Sequence, residues 1–158
     1  MRSGIKQLVL WMLLFGALGT STARADGGFS GFSGRWKGSG NMTMSEGKTE
    51  NLRCIATYFP TAHGAQLKMN MRCASTGFKI DVKSSLQSSG KRISGNFEEH
   101  NYNIVGSISG NVSGGNISAT IHGPDWQSSL SVSGFGAHVV LTPRGSSVKS
   151  ISLSFKRS

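Results

Sequence analysis

Residues 53–73 read RCIATYFPTAHGAQLKMNMRC, and this stretch decides the fold. Apolar and polar side chains alternate on both sides of the pair His63-Gly64, as in two antiparallel strands joined by a two-residue loop. Pairing about this loop brings Cys54 opposite Cys73 on one face of the sheet. A cross-strand disulfide needs Cα atoms about 4.4 to 6.8 Å apart, which this register supplies. The same register predicts three further cross-strand pairs: Ala62 with Ala65, Tyr58 with Met69 and Ala56 with Met71.

The beginning of the chain predicts a compartment in which such a disulfide persists. Arg2 and Lys6 precede a short apolar run over 8–18, and Ala-Arg-Ala follows at 23–25. This order is typical of a signal peptide, here over 1–25, that is removed on export. We therefore expect a periplasmic or secreted protein of a bacterium, where thiols are oxidised.

The chain remains basic without this leader. Loss of Arg2, Lys6 and Arg24, with no acidic residue, lowers the formal net charge from +10 to +7. In a bacterial envelope this charge favours anionic neighbours, such as lipopolysaccharide, phospholipid headgroups or acidic glycans. Peripheral contact with an anionic membrane is therefore one expectation. The alternative is a charge that serves only solubility.

The mature chain is long enough for one domain with its own core. A glycine-rich stretch over 26–33 predicts a flexible tail, in which Phe29 and Phe32 are two aromatic anchors. Through this tail the protein could contact a protein partner; a solvated leader is the simpler reading. We expect a single β-barrel domain over 34–158.

The rest of the chain alternates apolar and polar residues in about ten short segments separated by Gly, Ser, Asn and Pro. Short alternating strands with tight turns are typical of an all-β sandwich or barrel. Consecutive hairpins favour an antiparallel up-and-down meander, and closure removes its two exposed edges. The sequence therefore predicts a closed barrel of about eight to ten strands.

The face predicted to point inward mixes large side chains with glycines, which add no volume. Such an interior either packs completely or leaves a cavity for a ligand. Eight residues are the candidate lumen-lining, ligand-binding set: Trp36, Met42, Met44, Met69, Met71, Phe78, Phe97 and Trp126.

The motif Gly34-Arg35-Trp36 resembles the Gly-x-Trp that opens the barrel of calycin-type proteins, such as lipocalins and avidins. That resemblance implies a tryptophan at the barrel floor and an open mouth for an apolar ligand. The chain is also similar to the small periplasmic inhibitors of metalloproteases, which combine Gly-x-Trp, one disulfide and an up-and-down barrel. Ile-Ser-Gly phrases further resemble small exported proteins of alphaproteobacteria, which imply no function.

No residue pattern predicts catalysis. The string Gly-Ser-Ile-Ser-Gly at 106–110 has Ile108 where a nucleophile elbow needs serine. Glu98 and Glu99 are adjacent, so a strand points them to opposite faces. The four histidines lie in separate segments without metal-ligand spacing. We predict a protein that is not an enzyme and uses no metal and no cofactor.

Two other kinds of basic β-barrel compete with this interpretation. A transmembrane barrel also alternates, but turns its apolar face to lipid. A nucleic-acid-binding barrel needs outward aromatic residues among its basic ones, and export makes nucleic acid an improbable partner. The leading hypothesis is a binding protein that encloses an apolar or amphiphilic, anionic envelope molecule, with basic residues at the mouth. The alternative is a protein-interaction module, such as a protease inhibitor, acting through residues 26–33.

Overall fold

The protein is seen here in a computed structural model that describes residues 28–158, which form ten antiparallel strands. Each strand pairs with its sequence neighbours and β1 pairs with β10, so the sheet closes into a barrel. This confirms the predicted all-β meander, with a strand number at the upper end of the predicted range. The strands are β1 Gly34–Met44, β2 Thr49–Thr61, β3 Gln66–Ala74, β4 Lys79–Ser89, β5 Arg92–Glu99, β6 Ile104–Ser113, β7 Asn116–His122, β8 Gln127–Ser133, β9 His138–Arg144 and β10 Val148–Arg157.

The β2–β3 hairpin has the predicted register. Cys54 and Cys73 are Cα partners 4.1 Å apart, joined by a disulfide. His63 and Gly64 adopt the left-handed backbone conformation, with φ of 55° and 78°. A backbone hydrogen bond of 3.1 Å closes the turn around them. Ala62 is also left-handed, with φ of 52°. The connection therefore covers 62–65 and not the two predicted residues, and Ala62 and Ala65 meet in the turn instead of in the ladder, which keeps the predicted register up to Thr61 and Gln66.

The alternation of side chains places the apolar face inside the barrel. Leu52, Ile93 and Leu153 are at most 2% exposed. The opposite positions are occupied mainly by Ser, Thr, Asn, Lys and Arg and lie on the outside. The predicted inward face is therefore correct, and it is the reverse of the outward apolar face that a lipid-exposed barrel would present.

Glycines on the inner face let neighbouring strands and rings come close. A Cβ atom added at Gly106 would overlap the carbonyl oxygen of His122 and the ring of Phe97. Such a glycine is a place where the sheet bends sharply. Neighbouring atoms therefore fill the space beside Gly106, which is not part of an empty cavity.

Residues 28–33 fold against one end of the barrel. The side chains of Phe29 and Phe32 are both 0% exposed, and the Phe29 N–H donates a 3.0 Å hydrogen bond to the Gly64 carbonyl. This differs from the expected flexible tail, because burying two phenyl rings outweighs the conformational freedom of the glycines around them. The predicted leader at 1–25 lies outside the described residues.

Between residues 28 and 158 there is no helix of the length and hydrophobicity needed to cross a membrane.

Candidate functional site

The two ends of the barrel differ. One end carries the β2–β3, β4–β5, β6–β7 and β8–β9 turns together with residues 28–33, and it is closed. The other end carries the loops 45–48, 75–78, 100–103, 123–126 and 145–147. Side chains from four of these five loops line an internal cavity. A ligand would therefore enter at the loop end.

A cluster of four rings, called here the aromatic floor, closes the end of the barrel opposite these loops. Its members are Phe29, Phe32, Tyr58 and Phe135. The Phe32 ring lies at the centre, with its centroid 6.0 Å from Phe29, 6.0 Å from Tyr58 and 5.7 Å from Phe135. All three contacts are edge-on, the arrangement that aromatic pairs favour. Three of the four rings, Phe29, Phe32 and Phe135, lie outside the strands, so the strand pattern alone does not predict the floor.

Above the floor lies a cavity of about 390 Å³. Its volume is within the range of small-molecule sites, about 300–1,000 Å³. Tyr58 is part of both the floor and the cavity wall. Seven of the eight residues predicted to face the lumen line this cavity: Met42, Met44, Met69, Met71, Phe78, Phe97 and Trp126.

Trp36 is the predicted lumen residue that does not line the cavity. It lies near the start of β1, at the closed end, where it is 7% exposed. Its indole Nε1–H donates a 3.1 Å hydrogen bond to the carbonyl oxygen of Ser33. The strand pattern gave its face correctly but could not give its depth in the barrel.

The cavity has further apolar walls that the sequence-based set did not include. They come from inward positions of β6 to β10, such as Ile108, Ile121, Leu130 and Leu141. Leu130 and Leu141 are Cα partners and only partly buried, although the barrel wall surrounds them. Their exposure therefore faces the cavity. The same alternation of apolar and polar residues places them on the inner face.

The wall can adapt to the shape of a ligand. Met42, Met44, Met69 and Met71 supply flexible, polarisable side chains on β1 and β3. Two small polar residues, Ser84 and Ser128, interrupt the apolar surface. The lining is therefore apolar and deformable, with few groups that would select one polar pattern.

Glu99 is one of two buried acidic residues at the open end, the other being Glu50. Its carboxylate accepts hydrogen bonds from the backbone N–H groups of Asp81, Asn101 and Tyr102, at 2.9, 3.2 and 2.7 Å. These bonds tie the start of β4 to the β5–β6 turn. The three accepted hydrogen bonds explain why this carboxylate can be buried here.

Charged residues of both signs surround the open end, but no Lys or Arg lines the cavity itself. Lys48 forms a 3.0 Å ion pair with Glu50. The hydrogen bond from Lys48 holds the pKa of the Glu50 carboxyl below its usual value, against the opposing effect of desolvation. Other acidic residues at this end include Glu46, Asp81, Glu99 and Asp125. Lys79, Arg144 and Lys149 flank the same loops but do not line the cavity, so the basic mouth expected from the sequence stays a prediction.

Burial perturbs one titratable group of the cavity wall. Desolvation raises the pKa of Tyr58 from 10.0 to about 12. The hydroxyl therefore stays protonated throughout the neutral range. It presents a neutral polar group at the inner end of the cavity.

No metal centre forms among residues 28–158, since no three His, Cys, Asp or Glu side chains converge on one point. His63 lies in the β2–β3 turn, and His138 donates to or accepts from the Ser154 hydroxyl at 3.2 Å. His100 lies 3.4 Å from Glu98 on the surface. His63, His100 and His138 therefore lie apart, each in its own surroundings.

The fold and the cavity define a class: a small closed β-barrel with one open end and an apolar lumen. Neither the family models nor the curated proteins include a match to this sequence. Among solved structures, the barrel is similar to the crystal structure of Rv2717c from M. tuberculosis. The two share 10% sequence identity at a TM-score of 0.56, over 82% of this chain and 94% of that chain. This likeness shows a common fold, and it does not confirm a calycin relationship.

Proposed function

We propose that this protein is an exported, non-enzymatic binding protein that encloses an apolar or amphiphilic small molecule in its lumen. The observation that carries the proposal is the cavity of about 390 Å³, with apolar walls, a sealed floor and one open end. Pockets of this size and lining are the usual form of small-molecule sites. The Cys54–Cys73 disulfide supports export, because such bonds persist in oxidising compartments.

The proposed mechanism is enclosure. Moving apolar ligand surface out of water contributes about 25 cal/mol per Å². The four methionines adapt the wall to the ligand, while the aromatic floor sets how deep it enters. This mechanism asks for no proton transfer and no bond formation.

The end of the ligand that reaches the mouth meets the polar side chains of Tyr102, Ser146 and Ser147, which line this end of the cavity. Because no Lys or Arg lines the cavity and Glu99 does, we propose a ligand whose outer end is uncharged. An anionic headgroup would find no cation in this lining.

The alternative, a protein-interaction module acting through residues 26–33, depended on Phe29 and Phe32 as exposed anchors. Both side chains are 0% exposed and belong to the aromatic floor. Because a partner would have to pull them out of the barrel, enclosure is the better supported of the two functions.

A titration with two fluorescent probes tests the proposal: uncharged aminoanthracene and a fluorescent fatty acid. We expect saturable binding of the first, and weaker binding of the second if the mouth disfavours anions. Leu130→Trp fills the lumen and should abolish binding. The matched control is Ser131→Trp, one residue along β8, whose side chain is exposed on the outside.

Absence of probe binding in the wild type would refute enclosure, as would equal binding by the Leu130 and Ser131 variants. Circular dichroism and unfolding midpoints check that both variants keep the fold. Native mass spectrometry of protein purified after export would show a retained molecule directly.

A further inference from the structure

The outer surface of the barrel is divided by charge. Eight basic residues point outward from five neighbouring strands, β10 and β1 to β4, and we call this surface the basic wall. At a strand spacing of about 4.8 Å, these strands span about 19 Å. The eight residues are Arg35, Lys37, Arg53, Lys68, Arg72, Lys79, Lys83 and Lys156.

Cross-strand pairing on the wall brings like charges together. Lys37 is the Cα partner of Lys156 on β10 and of Ile55 on β2, and Ile55 is in turn the partner of Arg72. Like charges directly opposite each other destabilise a sheet. Of the eight cations, only Arg72 has an ion pair within residues 28–158, with Asp81 at 3.3 Å. The wall therefore holds an excess of positive charge that the fold does not need.

A depression of about 660 Å³ lies in this wall. Lys37, Arg53, Arg72 and Lys79 are among its lining residues, and Asp81 is its one acidic residue. The backbone around the disulfide forms part of its base. Four cations around one concave surface make a receptor for negatively charged groups.

Two apolar side chains stand among these cations. Ile55 is 38% exposed and Phe59 is 48% exposed, and the Cα partner of Phe59 on β3 is Lys68. Apolar side chains flanked by Lys and Arg are typical of surfaces that lie in the headgroup region of a membrane.

The opposite side of the barrel has a different composition. Strands β6, β7 and β8 contain no Lys, Arg, Asp or Glu at all, and their outward positions are mostly Ser, Thr and Asn. If the basic residues served only solubility, they would not need to gather on one side. Their segregation indicates a surface with a partner.

We propose that the basic wall docks on an anionic lipid bilayer, with phosphate-bearing headgroups in the depression and with Ile55 and Phe59 between the headgroups. A nucleic acid is the weaker candidate, because binding single strands uses aromatic platforms, and Phe59 is the only aromatic residue that points outward on the wall. Docking through the basic wall does not depend on what the lumen holds.

Sedimentation with lipid vesicles tests the proposal on protein purified after export, with its N-terminus read by mass spectrometry. We expect binding to vesicles that contain phosphatidylglycerol and none to vesicles of phosphatidylcholine alone, with affinity falling as salt rises. The triple variant Lys37→Glu, Arg53→Glu, Lys156→Glu should weaken binding about 100-fold or more, since each basic residue near an anionic surface contributes about fivefold.

A charge-matched control reverses Lys91, Arg92 and Arg144, which lie outside the wall, and it should bind nearly as well as the wild type. Ile55→Ser with Phe59→Ser should also weaken binding, whereas Val105→Ser with Val140→Ser, on exposed residues of β6 and β9, should not.

Equal losses in the wall and control triple variants would overturn the proposal, because they would show dependence on net charge alone. Equal binding to both kinds of vesicle, or binding to heparin or single-stranded DNA but not to vesicles, would overturn it too. The aminoanthracene titration, repeated on the triple variant, should be unchanged, which separates the outcome at the wall from that in the lumen.

Discussion

The guanidinium carbon of Arg157 lies 4.8 Å from the centroid of the Trp36 ring. The two residues are Cα partners on β10 and β1, the last and first strands of the barrel. This contact covers one face of the indole ring where the sheet closes, and it adds a charge–quadrupole attraction to the backbone ladder.

Removing this contact should weaken closure. Arg157→Ala is expected to lower the free energy of unfolding by about 0.5–1 kcal/mol, the range for an exposed cation–π pair. Urea unfolding measures the difference. The neighbouring Lys156→Ala, which points to the other face, is the control and should change stability less. Equal midpoints for Arg157→Ala and the wild type would show that the contact contributes nothing.

Within residues 28–33, substitution of Phe32, the central ring of the aromatic floor, should cost the most stability. Phe32→Ala removes the ring that contacts three others, and it should cost about 3–5 kcal/mol. Phe32→Leu, which keeps most of the volume, should cost less and remain folded. Ser30→Ala, at an exposed position between the two rings, serves as control. If Phe32→Ala lowers the free energy of unfolding no more than Ser30→Ala does, the aromatic floor does not stabilise the barrel.

Loss of the disulfide should destabilise the barrel without changing its register. The cysteines are 19 residues apart, and a loop of that length corresponds to about 3 kcal/mol in the chain-entropy model. The double variant Cys54→Ala, Cys73→Ala measures this by urea unfolding. Peptide mapping without reductant checks the bond itself, and two free thiols in exported protein would contradict it.

Alkaline pH should destabilise the protein through Tyr58. Its pKa is raised to about 12 in the folded state, so the unfolded chain loses this proton first as pH rises. The stabilisation is complete below pH 10 and is lost between 10 and 12, by about 2–3 kcal/mol. Tyr58→Phe should flatten this part of the stability curve, while Tyr102→Phe, at an exposed residue, should leave it unchanged. Parallel curves for Tyr58→Phe and the wild type would exclude this cause.

Gly106 should tolerate no side chain. An added Cβ would overlap the His122 carbonyl oxygen and the Phe97 ring, so Gly106→Ala is expected to cost about 1–3 kcal/mol or more through overpacking. Gly77→Ala is the matched control, because its nearest neighbour would be the Glu50 carboxylate at 3.7 Å. If calorimetry gives the two variants the same melting temperature, Gly106 is not held by these contacts.

Much of the fold followed from two local signals. Alternation with period two gave the inward face, and the His63-Gly64 turn fixed the register that brings Cys54 to Cys73. Both act between residues close in sequence, so they are visible without the structure. Seven of the eight expected lumen residues line the cavity for the same reason.

Three features could not be predicted from the sequence because they depend on the closure of the barrel. The burial of Phe29 and Phe32 depends on an open end of suitable width, which no pattern in a glycine-rich segment reports. Trp36 has the right face, but its depth depends on how the strands are staggered. The basic wall exists because closure places Lys156 beside Lys37, across almost the whole length of the chain.

Closure also sets the order in which the barrel can be completed. Nine of its ten strand pairings join sequence neighbours, and the pairing of β1 with β10 waits for the end of the chain. Until then β1 pairs only with β2, and its other edge is open to association with other chains. This edge stays exposed until β10 has formed beside it. The ten-residue strand β10 completes the barrel by pairing with both β1 and β9. Truncation within it would leave an open, aggregation-prone sheet.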